Sequence, residues 1–123
     1  MAGTTNFGPV TVNPGPRTFG PVNLANTDTM LDLTIDRTVA NGFNATPAAS
    51  AEIAFEQSND GGATWTEICN ATFTGGIQTG HGGTQLNTND VGSSLFPGTG
   101  RQGRAIVTIS GAAVAVAGSL VIS

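Results

Sequence analysis

Between Met30 and Thr38 the chain alternates residue by residue, with Leu31, Leu33 and Ile35 on one side and Asp32, Thr34 and Asp36 on the other. Side chains leave a β-strand on alternate faces, so period two is the signature of a half-buried strand and is useless to an α-helix. The pattern returns twice. Ile53 and Phe55 alternate with Glu52, Ala54 and Glu56, and Ala105, Val107 and Ile109 alternate with Arg104, Ile106 and Thr108. No longer stretch combines 3.6-residue periodicity with a cap at its start and a stop at its end. Roughly seven to nine short strands punctuated by Gly, Pro and Asn predict an all-β fold, a single antiparallel β-sandwich. One cysteine and no tyrosine leave neither an inter-sheet disulfide nor a tyrosine corner, so a jelly roll is preferred to the immunoglobulin-like alternative.

A chain of 123 residues fits one domain with one core. Residues 26–123 carry the sandwich pattern, and residues 1–25 stand apart. They hold an internal echo, Phe7-Gly8-Pro9-Val10 and Phe19-Gly20-Pro21-Val22, split by Asn13-Pro14-Gly15-Pro16. Proline is excluded from central ladders, so the segment is expected either as an extended arm reaching a neighbour or as edge strands on its own core. The stretch from Thr74 to Gly100 has the weakest pattern and reads as a long loop system. Ser110-Gly111-Ala112 reads as the turn of a closing hairpin. Trp65 and Ile68 are expected to contribute to the core, their odd spacing marking a bulge.

Ser58-Asn59-Asp60-Gly61-Gly62-Ala63-Thr64-Trp65 specifies a tight turn between two apolar segments. Asp60 can accept from following backbone N–H groups, Gly61 and Gly62 can take positive φ, and Trp65 can cover the loop. The spacing Ser-x-Asp-x-Gly-x-Thr-Trp resembles the Asp-box of sialidases and related β-propellers, where it is a structural hairpin. It occurs once here, and the chain is too short for propeller blades. Asp60, Gly61, Gly62 and Trp65 are therefore read as turn residues, not as catalytic ones.

Only 10% of residues are charged, lysine is absent, and the net charge is −4. Four arginines cannot line a phosphate backbone, which argues against nucleic acid and against a membrane surface. No enzymatic constellation emerges. The tyrosine nucleophile of sialidases has no counterpart, and Glu52, Glu56 and Glu67 read as a solvated polar face rather than the matched pair a glycosidase needs. His81 lies between glycines with no paired ligand, the aspartates lack calcium-loop spacing, and Gly98–Gly103 leads into a strand rather than a helix. Cys69 reads as a small apolar residue. No cofactor, no metal and no catalytic residue are expected. Arg101 and Arg104 are candidates for docking on a partner's carboxylate, or for pairing internally with Asp90 or the acids of 31–36.

The Ser58–Trp65 box and the strand Arg104-Ala105-Ile106-Val107-Thr108-Ile109-Ser110-Gly111, in a small acidic β-rich chain, resemble accessory virion proteins of tailed bacteriophages, both capsid decoration and minor tail proteins. The resemblance implies a non-enzymatic structural protein that decorates or cements a capsid. Its partners would be the major capsid protein or other virion proteins and further copies of itself, with a trimer as one arrangement. Phe7 and Phe19 would anchor an N-terminal attachment. Met1 is followed by no basic and apolar leader, so synthesis in the host cytoplasm and residence in the virion are expected. The competing function is a tail-tip module that binds carbohydrate through the 74–100 loops and Trp65.

Overall fold

The computed structural model describes residues 3–79, 85–86 and 88–123. Its strands are β1 (Gly3–Val12), β2 (Gly15–Asn23), β3 (Met30–Asp36), β4 (Ser50–Ser58), β5 (Thr66–Thr74), β6 (Gln78–Thr79), β7 (Gln85–Leu86), β8 (Thr88–Ser94), β9 (Gln102–Ser110) and β10 (Val114–Ile122). A single 3₁₀ turn, Phe43–Ala45, is the one helical element among the described residues. Two four-stranded antiparallel sheets form, in the orders β1-β10-β3-β8 and β2-β9-β4-β5, beside a small β6–β7 ribbon. The pairs β1/β10, β2/β9, β3/β8 and β4/β5 are nested one inside the next, and within the two sheets only β4 to β5 connects neighbours of the same sheet. That is the connectivity of a jelly roll, a long hairpin rolled into two layers.

Two local expectations are corrected by this topology. The Ser110–Ala112 turn does not close a hairpin, because β9 and β10 lie in opposite sheets and the link arches between layers. The 74–100 stretch is not all loop. Thr88–Ser94 within it form β8, which pairs with β3 over its whole length.

Strand alternation places the core. Leu31, Leu33 and Ile35 of β3 and Val114, Val116, Leu120 and Ile122 of β10 face Ala51, Ile53 and Phe55 of β4 and Ala105, Val107 and Ile109 of β9, all buried. Each fully buried Leu, Ile, Val or Phe contributes about 1.5–3 kcal/mol over leaving it in water. A one-residue slip of β3 would exchange Leu33 for Asp32 or Thr34, so the register is strongly specified. Cys69 pairs opposite Phe55 and Glu67 opposite Glu56, leaving Ile68 as the extra residue of a bulge. The bulge lets Ile68 and Cys69 both approach the core. Trp65 does not join them; it lies half-buried over Arg104.

Residues 3–23 are the edge strands of the sandwich, β1 on one sheet and β2 on the other. The two copies of Phe-Gly-Pro-Val take the same form. In each, the Gly-Pro pair stands opposite a single residue, Ala117 on β10 and Arg104 on β9, and the glycine has positive φ, 74° at Gly8 and 102° at Gly20. A Cβ on Gly8 would lie 2.2 Å from the carbonyl oxygen of Val116, so glycine is required there by approach as well as by φ. The matched bulges bring the rings of Phe7 and Phe19 together, centroids 4.2 Å apart, across the open side of the sandwich.

Candidate functional site

The turn between β4 and β5 is a closed hydrogen-bond network. Ser58 Oγ donates to Asp60 Oδ1 (2.6 Å) and accepts from the N–H of Gly62 (2.8 Å), while Asp60 accepts from the N–H of Thr64 (2.9 Å) and from its hydroxyl. Trp65 Nε1 donates to Gly62 O (3.2 Å), and Gly61 N–H reaches across to Gly100 O (3.0 Å). Gly61 and Gly62 have φ of 74° and 97°, which residues with a Cβ adopt at a cost. The hydroxyls of Ser58 and Thr64 and the backbone N–H of Thr64 hold the Asp60 carboxyl far below the usual carboxylate range. A carboxylate so engaged is an acceptor of fixed bonds and a poor proton donor.

Three of the four arginines are committed within the molecule. Arg37, just after β3, is fully buried and donates to Asn44 Oδ1 (3.0 Å), Asn89 Oδ1 (2.6 Å), Thr74 O (2.9 Å) and Gly76 O (2.5 Å). Its guanidinium also lies 5.8 and 5.7 Å from the ring centroids of Phe43 and Phe73. Loss of water pulls its pKa below the ordinary arginine value. Arg101 is 4% exposed and donates to the carbonyls of Phe96 (2.7 Å), Ala25 and Asp28 (3.0 Å), tying the 95–100 loop to the start of β3. Arg104 pairs with Glu56 Oε1 (2.6 Å) and stacks 4.0 Å from the Trp65 ring centroid. Its internal partner is Glu56, not Asp90 or the 31–36 acids, because β9 runs beside β4 and the β3 acids lie on the far sheet. Arg17 on β2 is exposed.

The other residues singled out in the sequence do not converge on them. Phe19 is 7% exposed, and its ring contact with Phe7 is internal. Cys69 is a free thiol, its Sγ 3.8 Å from Gly92 O. His81 lies outside the described residues. Among the described residues no three His, Cys, Asp or Glu side chains gather as metal ligands. Asp32 and Asp90 share the outer face of the first sheet, where partial burial and then the neighbouring Asp90 charge raise the Asp32 pKa.

A shallow cleft of about 550 Å³ lies on the second sheet, lined by Ser50, Ala51, Glu52, Thr72, Phe73, Thr74 and Ser110. A smaller one of about 170 Å³ lies at the turn, lined by Gln57, Asn59, Asp60, Thr64, Thr66 and Phe96. Comparison with protein-family models and with curated proteins finds no match.

Hydroxyls, one carboxylate and Phe73 line the larger cleft, a set that can hydrogen-bond a polar surface. Gln57 is a structural residue the sequence did not reveal. It is 3% exposed, donates to Asn59 Oδ1 (2.7 Å) and Phe96 O (2.9 Å), and accepts from the N–H of Phe96 (2.8 Å). Its position in the inward phase of β4, one residue before the Ser58–Trp65 turn, was the available signal.

Proposed function

We propose that the chain is a non-enzymatic structural protein of a virus particle, decorating or cementing the capsid of a tailed bacteriophage. The observation that supports this reading is the jelly roll itself, an architecture shared by viral capsid and lectin domains, with Arg37, Arg101 and Asp60 holding loops and Arg104 pairing between strands. Such a protein recognises a repeating surface and adds contacts without chemistry, and weak contacts multiply over many copies. Attachment runs through the loops and the exposed strand faces. The N-terminal segment contributes as the clasp that closes the sandwich, since Phe7 and Phe19 already engage each other. Imaging purified particles assembled with and without the chain tests this: regular extra density on the shell is expected, and particles of identical appearance and composition would reject it.

A second reading, a tail-tip module that binds carbohydrate, draws on the hydroxyl-lined cleft bounded by Glu52 and Thr72. Trp65 lends it little, because Arg104 covers its ring. Binding to a glycan panel that is abolished by Glu52→Ala would favour this reading over the first.

A further inference from the structure

Three of the four sheet edges are interrupted. β1 and β2 each carry a Gly-Pro bulge, and β5 carries the extra residue Ile68. Bulges and prolines keep an edge from templating another strand. β8 differs on every count. It pairs with β3 without a register shift, and Thr88–Ser94 contains no proline, lysine or arginine. Its one charge is turned onto its own sheet, where Asp90 Oδ1 accepts from the Thr34 hydroxyl (2.7 Å). No described strand lies beyond it in the sheet. The hydrogen-bond phase is fixed by Leu95 N–H donating to Thr29 O (2.8 Å). The odd residues of β8 therefore bond to β3, and Thr88, Asp90, Gly92 and Ser94 turn their N–H and C=O groups outward, where Gly92 O meets only the weak thiol donor of Cys69 (3.8 Å) and keeps a lone pair for a second donor.

We propose that β8 pairs antiparallel with β8 of a second copy about a two-fold axis at Val91, joining two four-stranded sheets into one. This register sets Thr88 opposite Ser94 and Asp90 opposite Gly92, engages all four outward-facing residues and forms about eight interchain hydrogen bonds. A slip of one pair toward the start of β8 sets Asp90 against Asp90, which like-charge repulsion disfavours. The longest register is thus also the one the charges permit. The contact is isologous, so it closes on itself as a dimer. It is a small interface whose occupancy rises with local concentration, as on any surface that holds copies close together. It stands independently of the virion reading.

Sedimentation equilibrium of the whole chain over a wide concentration range, with amide hydrogen exchange of the same samples, tests the pairing. The expected result is a doubling of mass, accompanied by slowed exchange at Asp90 and Gly92 that is lost on dilution. A monomer at every concentration, a three-fold species, or association with protection confined to other strands would each overturn it. In a Cys69→Ala background, which leaves Gly92 O free of a side-chain donor, Val91→Cys should cross-link the dimer under mild oxidation, since facing Cα atoms at a non-hydrogen-bonded pair lie about 4.5 Å apart, within disulfide range. A folded, associating variant that does not cross-link would also refute the register.

Discussion

Arg37 is a cation held in the interior by neutral oxygens and two aromatic rings, with no carboxylate among its hydrogen-bond acceptors. Replacing it with methionine preserves most of the stem and removes every donor. Thr74 O, Gly76 O and Asn89 Oδ1 then lose the donor that binds them, at about 1–3 kcal/mol each, or roughly 3–9 kcal/mol gross. The guanidinium no longer has to be desolvated, which returns several kcal/mol, so the expected net loss is about 3–5 kcal/mol. Against a typical total of about 5–15 kcal/mol, that is a large fraction of the stability. Urea unfolding followed by circular dichroism should show the midpoint falling by ~2 M or more, taking a slope of about 1.5 kcal/mol per molar. Arg37→Lys should fall between, since an ammonium keeps the charge but cannot span the same acceptors in one plane. A loss below about 1 kcal/mol for the methionine variant would refute the claim that this side chain clamps β3, β5 and β8 together.

The clasp at the open side can be measured by a double-mutant cycle. Phe19→Ala should cost about 3–5 kcal/mol, and the coupling between Phe7→Ala and Phe19→Ala should be about 0.5–1.5 kcal/mol; additive effects would mean the ring contact contributes nothing. Asp60 has its folded pKa depressed, so its contribution is complete above the unfolded aspartate value of about 4 and declines as pH falls toward the folded value. The stability gap between wild type and Asp60→Asn should therefore be widest near neutrality and narrow in acid; a gap independent of pH would count against the network. Arg104→Ala should change stability by no more than about 1 kcal/mol, because the pair with Glu56 is partly exposed. The same substitution uncovers the only tryptophan, so its emission should shift to the red, and an unchanged spectrum would argue against the stack.

The inward faces of β3, β4 and β9 were legible because their alternation is unbroken. So was the turn at Ser58–Trp65, whose residue types admit few other geometries. β8 was hidden for a physical reason: two of its three inward positions are Asn89 and Ser93, and Asn89 serves Arg37 rather than the apolar core. The arch between β9 and β10 was misread because Ser-Gly-Ala satisfies a hairpin as readily as a link between layers, and local chemistry cannot tell them apart. Arg37 and Arg101 left no trace in the sequence, since most of their acceptors are backbone carbonyls, which every residue carries. The Phe-Gly-Pro-Val echo was visible, but its meaning needed the topology that sets the two copies face to face.

Nested pairing also dictates an order of events. Gly3 meets Ile122 only after the chain between them has been gathered in, whereas β4 and β5 are separated by residues 59–65 alone. Closing a long loop costs more entropy than closing a short one, and each inner pair shortens the loop the next must close. Assembly is accordingly expected to zip from the middle of the chain outward. Weakening the Asp60 turn should therefore slow folding, while weakening the Phe7–Phe19 contact should chiefly hasten unfolding, as stopped-flow rates of the two variants would show.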